Sequence, residues 1–361
     1  MRKLHELLGA GQSVWFDYIR RDMVREGELA RLVDDGIRGV TSNPSIFEKA
    51  IADTDLYDDQ IAALAGSSPE EVFDELAIVD IAEAADVLAP VFRSSGGVDG
   101  YVSLEVSPRL ARDTSGTIAD AMRLWGRVDR PNLMIKVPAT PEGIPAVEEL
   151  TAAGINVNAT LMFSLGHYEA VASAYLRGAE RASDPSTLAS VASFFVSRVD
   201  TYADEALSAI GSSEALELRG TLAVANAKAA YARYLQIFEG EPFSDLAARG
   251  TRPQRVLWAS TSTKNPEYRD VMYVEDLIGP NTVNTAPPQT IEDFEDHGVV
   301  RAGSLMEGME AAAKRIRSLD EIGLDFDDIT NRLQDDGVDS FAAAYEGLIE
   351  AIAHKQGTIT S

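Results

Sequence analysis

Short runs rich in β-branched and aromatic residues recur along the chain, and each is followed by a longer stretch whose apolar residues repeat at helical spacing. Eight such runs stand out, at residues 14–19, 39–43, 101–106, 133–137, 155–163, 192–197, 255–261 and 282–285. Between them, 113–127, 144–153, 167–181 and 216–238 read as amphipathic helices. Strand and helix in regular alternation predict a parallel sheet, and eight units predict its closure into an α/β fold, a single (β/α)8 TIM barrel. The competing open, doubly wound sheet is expected to carry a glycine-rich first turn, and neither Gly-x-Gly-x-x-Gly nor Gly-x-x-x-x-Gly-Lys-Ser/Thr occurs. After the last strand, 299–316 and 338–353 read as two further amphipathic helices, the second set off by a break at Asp336-Gly337. Two helices alone make a poor independent core, so residues 1–361 are expected to form one barrel domain with a C-terminal helical extension over 299–361 that caps or closes it.

Composition narrows the chemistry. Hydrophobic content of 45% and charged content of 25% over 361 residues are those of a soluble globular protein. The chain has no cysteine, which removes disulfides, thiolate catalysis and cysteine-bound metal together and fits a reducing cytoplasm. The apolar run after Arg2 and Lys3 is broken by His5, Glu6, Gln12 and Asp17, so no signal peptide is expected. No stretch reaches the roughly 20 apolar residues of a membrane span. A net charge of −26 repels nucleic acid and anionic membranes, and a phosphorylated substrate would need a local basic pocket. The four histidines are scattered without ligand spacing, so no metal site is expected.

One lysine is out of place. Among seven, Lys136 alone lies inside a strand-like run, Asn132-Leu-Met-Ile-Lys136-Val-Pro-Ala-Thr140. An unpaired ammonium is costly in such a setting, and burial favours the neutral amine that attacks carbonyls to form Schiff bases. The bland alternative is a strand-end lysine that snorkels to water or pairs with a carboxylate.

Active sites of such barrels sit at the C-terminal ends of the strands, and polar residues collect late in seven of them. These are Asp17, Asn43, Glu105, Lys136, Asn158 with Thr160, Ser193 with Arg198, and the segment from Ser260 through Ser262 to Lys264. Individually, Asn43 could cap a helix, Thr160 is a good strand former and Arg198 could be a surface arginine. Asp17 and Glu105, however, are each embedded in apolar strand sequence, where a lone carboxylate needs a partner or a task. A Schiff-base lysine with two carboxylates suits carbonyl addition, dehydration and carbon–carbon cleavage, each of which moves a proton. Arg198, Lys264, Ser260 and Ser262 would supply donors for a distal phosphate.

With these residues in view, the chain resembles the transaldolase family. Gly39-Val-Thr-Ser-Asn43-Pro-Ser-Ile-Phe47, Leu133-Met-Ile-Lys136-Val-Pro-Ala-Thr140 and Ile155-Asn-Val-Asn158-Ala-Thr160-Leu-Met-Phe163 are similar to three family motifs in order. The resemblance implies transfer of a dihydroxyacetone unit from sedoheptulose 7-phosphate to glyceraldehyde 3-phosphate, giving erythrose 4-phosphate and fructose 6-phosphate, with no metal or organic cofactor. It further implies Lys136 as nucleophile, Asp17 as acid/base at the cleaved bond, and Glu105 with Thr160 holding the water of imine formation. Asn43, Asn158 and Ser193 would bind the three-carbon hydroxyls, while Arg198 and the 260–264 segment would hold phosphate. The chain is similar to the longer members of the family, with Lys264 where shorter ones place an arginine. Small aldolases that release free dihydroxyacetone resemble a tyrosine at the place of Phe195, so Phe195 favours transfer. That release reaction and a non-catalytic sugar-phosphate-binding barrel are the alternatives. A homodimer is left open as the assembly.

Overall fold

The apolar runs pair edge to edge in chain order. In the computed structural model, which describes residues 2–359, the strands are β1 (Gln12–Phe16), β2 (Ile37–Val40), β3 (Tyr101–Glu105), β4 (Leu133–Pro138), β5 (Val157–Met162), β6 (Ser190–Phe195), β7 (Arg255–Ala259) and β8 (Thr282–Ala286). All neighbours are parallel, and β1 pairs with β8 from Gln12↔Thr282 to Phe16↔Ala286, which closes the barrel. Every expected strand is present. Because parallel strands joined by helices bury both faces, they read as continuous apolar runs rather than alternating ones. β1, β4, β5, β6, β7 and β8 are buried along their whole length.

The N-terminal end of the barrel is sealed by a buried pair, Arg255 to Asp99 at 2.9 Å, with Ser13 Oγ donating to Asp99 and accepting from Arg255. Close packing also constrains β2. A Cβ on Gly39 would lie 2.5 Å from the Trp15 ring, so only glycine fits opposite that indole. The opposite end, where the strands give way to helices capped by Asn43, Asp113 and Ser164, stays open.

Two helical expectations need correction. The segment 216–238 is broken: one helix ends at Leu218 and the next begins at Leu222. Gly220 between them has φ 67°, its N–H donates to Asp204, and the Tyr268 ring occupies the place of a Cβ. At the C-terminus, the first helix spans only Met309–Glu321, preceded by a short 3-10 turn at Ser304–Met306. The second, Phe326–Ile359, runs through Asp336-Gly337 without a break. Gly337 lies against β5, where a Cβ would stand 3.0 Å from Leu161 Cδ2, so this glycine serves close approach rather than helix termination. The long helix crosses the open end of the barrel. No helix among the described residues is long and apolar enough to span a membrane.

Candidate active site

Register sets the centre of the site. Glu105, the last residue of β3, is the ladder partner of Lys136 on β4, and Lys136 is in turn the partner of Asn158 on β5. The three side chains therefore share one level and one face of the barrel wall. Lys136 is 5% exposed, and its Nζ donates to the Ser42 carbonyl at 3.1 Å and to Glu105 Oε2 at 3.3 Å. Glu105 Oε1 and Thr160 Oγ1 are both buried without a hydrogen-bond partner among the described residues. Buried polar atoms of this kind carry a cost that a bound group can repay. Asp17, just past β1, accepts from Thr41 Oγ1 at 2.6 Å.

Burial drives the titration of both acids. Desolvation raises Asp17 above the usual carboxylate range, with the Thr41 hydroxyl and the Lys136 charge pulling it partly back. Desolvation also raises Glu105, opposed by Lys136 and reinforced by repulsion from Asp17. Two carboxyls with different partners flank one amine, an arrangement able to divide successive proton transfers.

Above them lies a cavity of about 480 Å³. Asp17, Asn43, Lys136, Thr160, Ser193, Phe195, Arg198, Ser260, Ser262 and Lys264 all line it. Its charged wall comprises four cations, Lys49, Lys136, Arg198 and Lys264, against one acid, Asp17, which reverses locally the sign of a chain carrying −26. Burial lowers Arg198 from the ordinary guanidinium value, and its guanidinium stands 5.4 Å from the Phe195 ring centroid. Ser260 adopts φ 55°, and its Oγ is 2.9 Å from Ser197 Oγ at the start of the helix bearing Arg198. Lys264 is exposed at the mouth.

Two expected residues are not among those that line the cavity. Asn158 is fully buried behind that lining: its Oδ1 accepts from Ser193 Oγ at 2.6 Å and its Nδ2 donates to Ser103 Oγ at 3.0 Å. It holds Ser193, which does face the cavity. Glu105 reaches the site through its contact with Lys136 and also borders a neighbouring hollow of about 240 Å³. Asn43 has both roles weighed for it, capping the helix Pro44–Ala52 through Ile46 N–H while lining the cavity.

Several lining residues escape a reading of the sequence. Thr41 lies inside the quoted Gly39-to-Phe47 motif and could have been found there. Thr285 supplies a polar group from β8, the one strand without a candidate, and its Oγ1 is 2.7 Å from that of Thr41. Lys49 sits in the last turn of the helix Pro44–Ala52, where a lysine signals only a solvated face. Phe341, on the C-terminal helix, has no sequence signal separating it from an ordinary core residue.

The family model described as Transaldolase/Fructose-6-phosphate aldolase matches residues 14–352. The chain is 49% identical over 349 residues to a protein of Thiobacillus denitrificans named Transaldolase, covering 95% of this chain and 97% of that one. It is 48% identical over 359 residues to a Transaldolase of Thermobifida fusca, covering 98% of both. A Transaldolase of Frankia alni is 48% identical over 361 residues, covering 98% of this chain and 97% of that protein.

Proposed function

Because the chain belongs to the Transaldolase/Fructose-6-phosphate aldolase family, and its activity is that of a transaldolase, we propose that Lys136 forms the Schiff base through which it transfers a dihydroxyacetone unit. The substrates of this family are sugar phosphates. For this chain the reading is reversible transfer from sedoheptulose 7-phosphate to glyceraldehyde 3-phosphate, giving erythrose 4-phosphate and fructose 6-phosphate. The observation that carries it is the pairing of Lys136 with Glu105 beside a cavity that also holds Asp17.

In this mechanism Lys136 Nζ adds to the donor ketone. Glu105 donates the proton with which the carbinolamine oxygen leaves as water, and Thr160 Oγ1 helps to hold that water. Asp17 takes the proton from the hydroxyl beside the breaking bond; the aldose phosphate departs, and the three-carbon enamine attacks the acceptor aldehyde. Asn43 and Ser193 would bind hydroxyls of the three-carbon unit, with Asn158 orienting Ser193. Arg198, Ser260, Ser262 and Lys264 would take the phosphate, guanidinium and ammonium contributing charge-assisted bonds. Phe195 presents no hydroxyl that could protonate the enamine, which favours transfer over release. The reading treats the chain as one barrel domain with its helical extension, working in the cytoplasm; a homodimer remains an open assembly.

Incubation with fructose 6-phosphate followed by borohydride, with peptide mapping by mass spectrometry, tests it. A three-carbon adduct on Lys136 is expected. No adduct, with the donor shown to bind, would leave a sugar-phosphate-binding barrel as the better description.

A further inference from the structure

The C-terminal helix enters the site through one face. Gln334, Gly337 and Phe341 are spaced at i, i+3 and i+7, so they project on the same side. Gln334 Nε2 donates to the carbonyls of Ala139 and Leu161, both at 2.9 Å, and so ties the helix to the ends of β4 and β5, the strands of Lys136 and Thr160. Leu161 has φ 61° at an irregular point in the β5 register, an unusual conformation for a branched residue, and its carbonyl is one of the two that Gln334 engages. Gly337 then passes close to the wall, a Cβ there lying 3.0 Å from Leu161 Cδ2 and 3.8 Å from Arg198 Nη1. One turn later Phe341, 7% exposed, lines the catalytic cavity with its ring centroid 5.4 Å from Lys136 Nζ.

We infer that Phe341 is a positioning residue that covers the Schiff-base nitrogen and determines how often the bound enamine passes to a sugar acceptor rather than being lost to water. This rests on the assignment of Lys136 above. The loss it suppresses is a balanced hydrolysis. The enamine carbon freed by cleavage takes a proton from solvent; water adds at the resulting iminium carbon; the carbon–nitrogen bond breaks, releasing dihydroxyacetone and the free Lys136 amine. An apolar ring beside the nitrogen limits the access of bulk solvent, the proton source, to the enamine carbon; it leaves in place the single water handled by Glu105 and Thr160, and leaves the side of the cavity lined by Arg198 and Ser260 open to the acceptor. The C-terminal extension is then part of the catalytic chamber, not a clasp around the outside of the barrel.

Phe341→Ala and Phe341→Leu test the inference. For each variant, dihydroxyacetone release from fructose 6-phosphate without acceptor is compared with transfer to erythrose 4-phosphate, alongside borohydride trapping. In the alanine variant the ratio of release to transfer is expected to rise about fivefold or more, because water gains access to the intermediate. The leucine variant keeps an apolar cover and should stay within about twofold of the unmodified enzyme. A three-carbon adduct on Lys136 should form in all three proteins. An unchanged ratio in the alanine variant, with the adduct present, overturns the inference. So does a leucine variant as leaky as the alanine one, since loosening the helix would then suffice. Absence of the adduct even in the unmodified enzyme would instead refute the assignment of Lys136. Phe341→Val provides the same comparison if the alanine variant does not fold.

Discussion

Glu105 and Lys136 face each other across the β3–β4 ladder, with Glu105 Oε2 3.3 Å from Lys136 Nζ and Glu105 Oε1 left without a partner among the described residues. One oxygen is thus engaged with the amine while the other is free to handle a proton. An ion pair serving only stability would be expected to satisfy both oxygens, because a half-satisfied buried carboxylate is costly.

Glu105→Gln should therefore fold and bind donor but form the Schiff base slowly. General acid–base assistance of this kind is worth roughly 10²–10⁴-fold, and a loss within that range is expected in kcat. Stopped-flow kinetics with borohydride quenching measures the step directly; a rate of imine formation equal to that of the unmodified enzyme would remove Glu105 from the mechanism.

Asp17 is assigned a later proton. Burial raises its pKa and so its affinity for a proton, while the hydroxyl of Thr41, donating at 2.6 Å, opposes that shift and holds the carboxyl in place. Asp17→Asn should still form the imine but fail to break the carbon–carbon bond. Borohydride should then trap the whole six-carbon sugar phosphate on Lys136 in place of the three-carbon fragment. A three-carbon adduct formed at the normal rate would rule Asp17 out as the base.

Much of this was legible in the sequence, for identifiable reasons. Parallel barrel strands are buried on both faces, so a polar residue within one is conspicuous, and Lys136, Asp17 and Glu105 stood out on that ground. The eight strands were equally plain as apolar runs between helical segments. What escaped depends on contacts distant in sequence. Gly337 reads as a break because glycine usually marks one, yet here it lets a helix pass so close that a Cβ would stand 3.0 Å from Leu161 Cδ2. Phe341 is an aromatic residue on an amphipathic helix, and nothing local distinguishes a ring over Lys136 from a ring in the core. Asn158 reads from sequence as a polar residue late in β5, but that its amide bridges Ser103 and Ser193 depends on the packing of β3 and β6 against it.

The cations at the mouth should separate by burial. Arg198 is partly buried and has no ion-pair partner among the described residues, whereas Lys264 is exposed. Losing a charge-assisted bond to phosphate costs about 1.5–3 kcal/mol, so Arg198→Ala should raise KM for phosphorylated donors by roughly 10- to 100-fold. Lys264→Ala should cost less, and its effect should fade as salt screens the exposed charge. Steady-state kinetics at low and high ionic strength, with a non-phosphorylated sugar as control, distinguishes them. An equal loss on the control sugar would mean that Arg198 supports the fold rather than the phosphate.

The helix that carries Arg198 also bears a buried acid, and its titration should appear in the stability of the protein. Asp200 is 1% exposed; it accepts from Ala223 N–H and from the Tyr273 hydroxyl, both at 2.8 Å, and burial raises its pKa to about 6. A native pKa above that of the unfolded chain means that the folded state binds more protons between about pH 4 and 6. This group's contribution to stability is thus fully present at the acid end of that window and is lost as the pH rises through 6. Asp200→Asn removes the titration while keeping an acceptor for one donor. The difference in unfolding free energy between the two proteins should therefore shift with pH across the window, by up to about 3 kcal/mol for a displacement of about two pKa units, and level off above neutrality. Urea unfolding of both proteins from pH 4.5 to 7.5 measures it. A constant difference across the range would show that Asp200 keeps its charge on folding, with the Tyr273 and Ala223 donors outweighing the cost of burial.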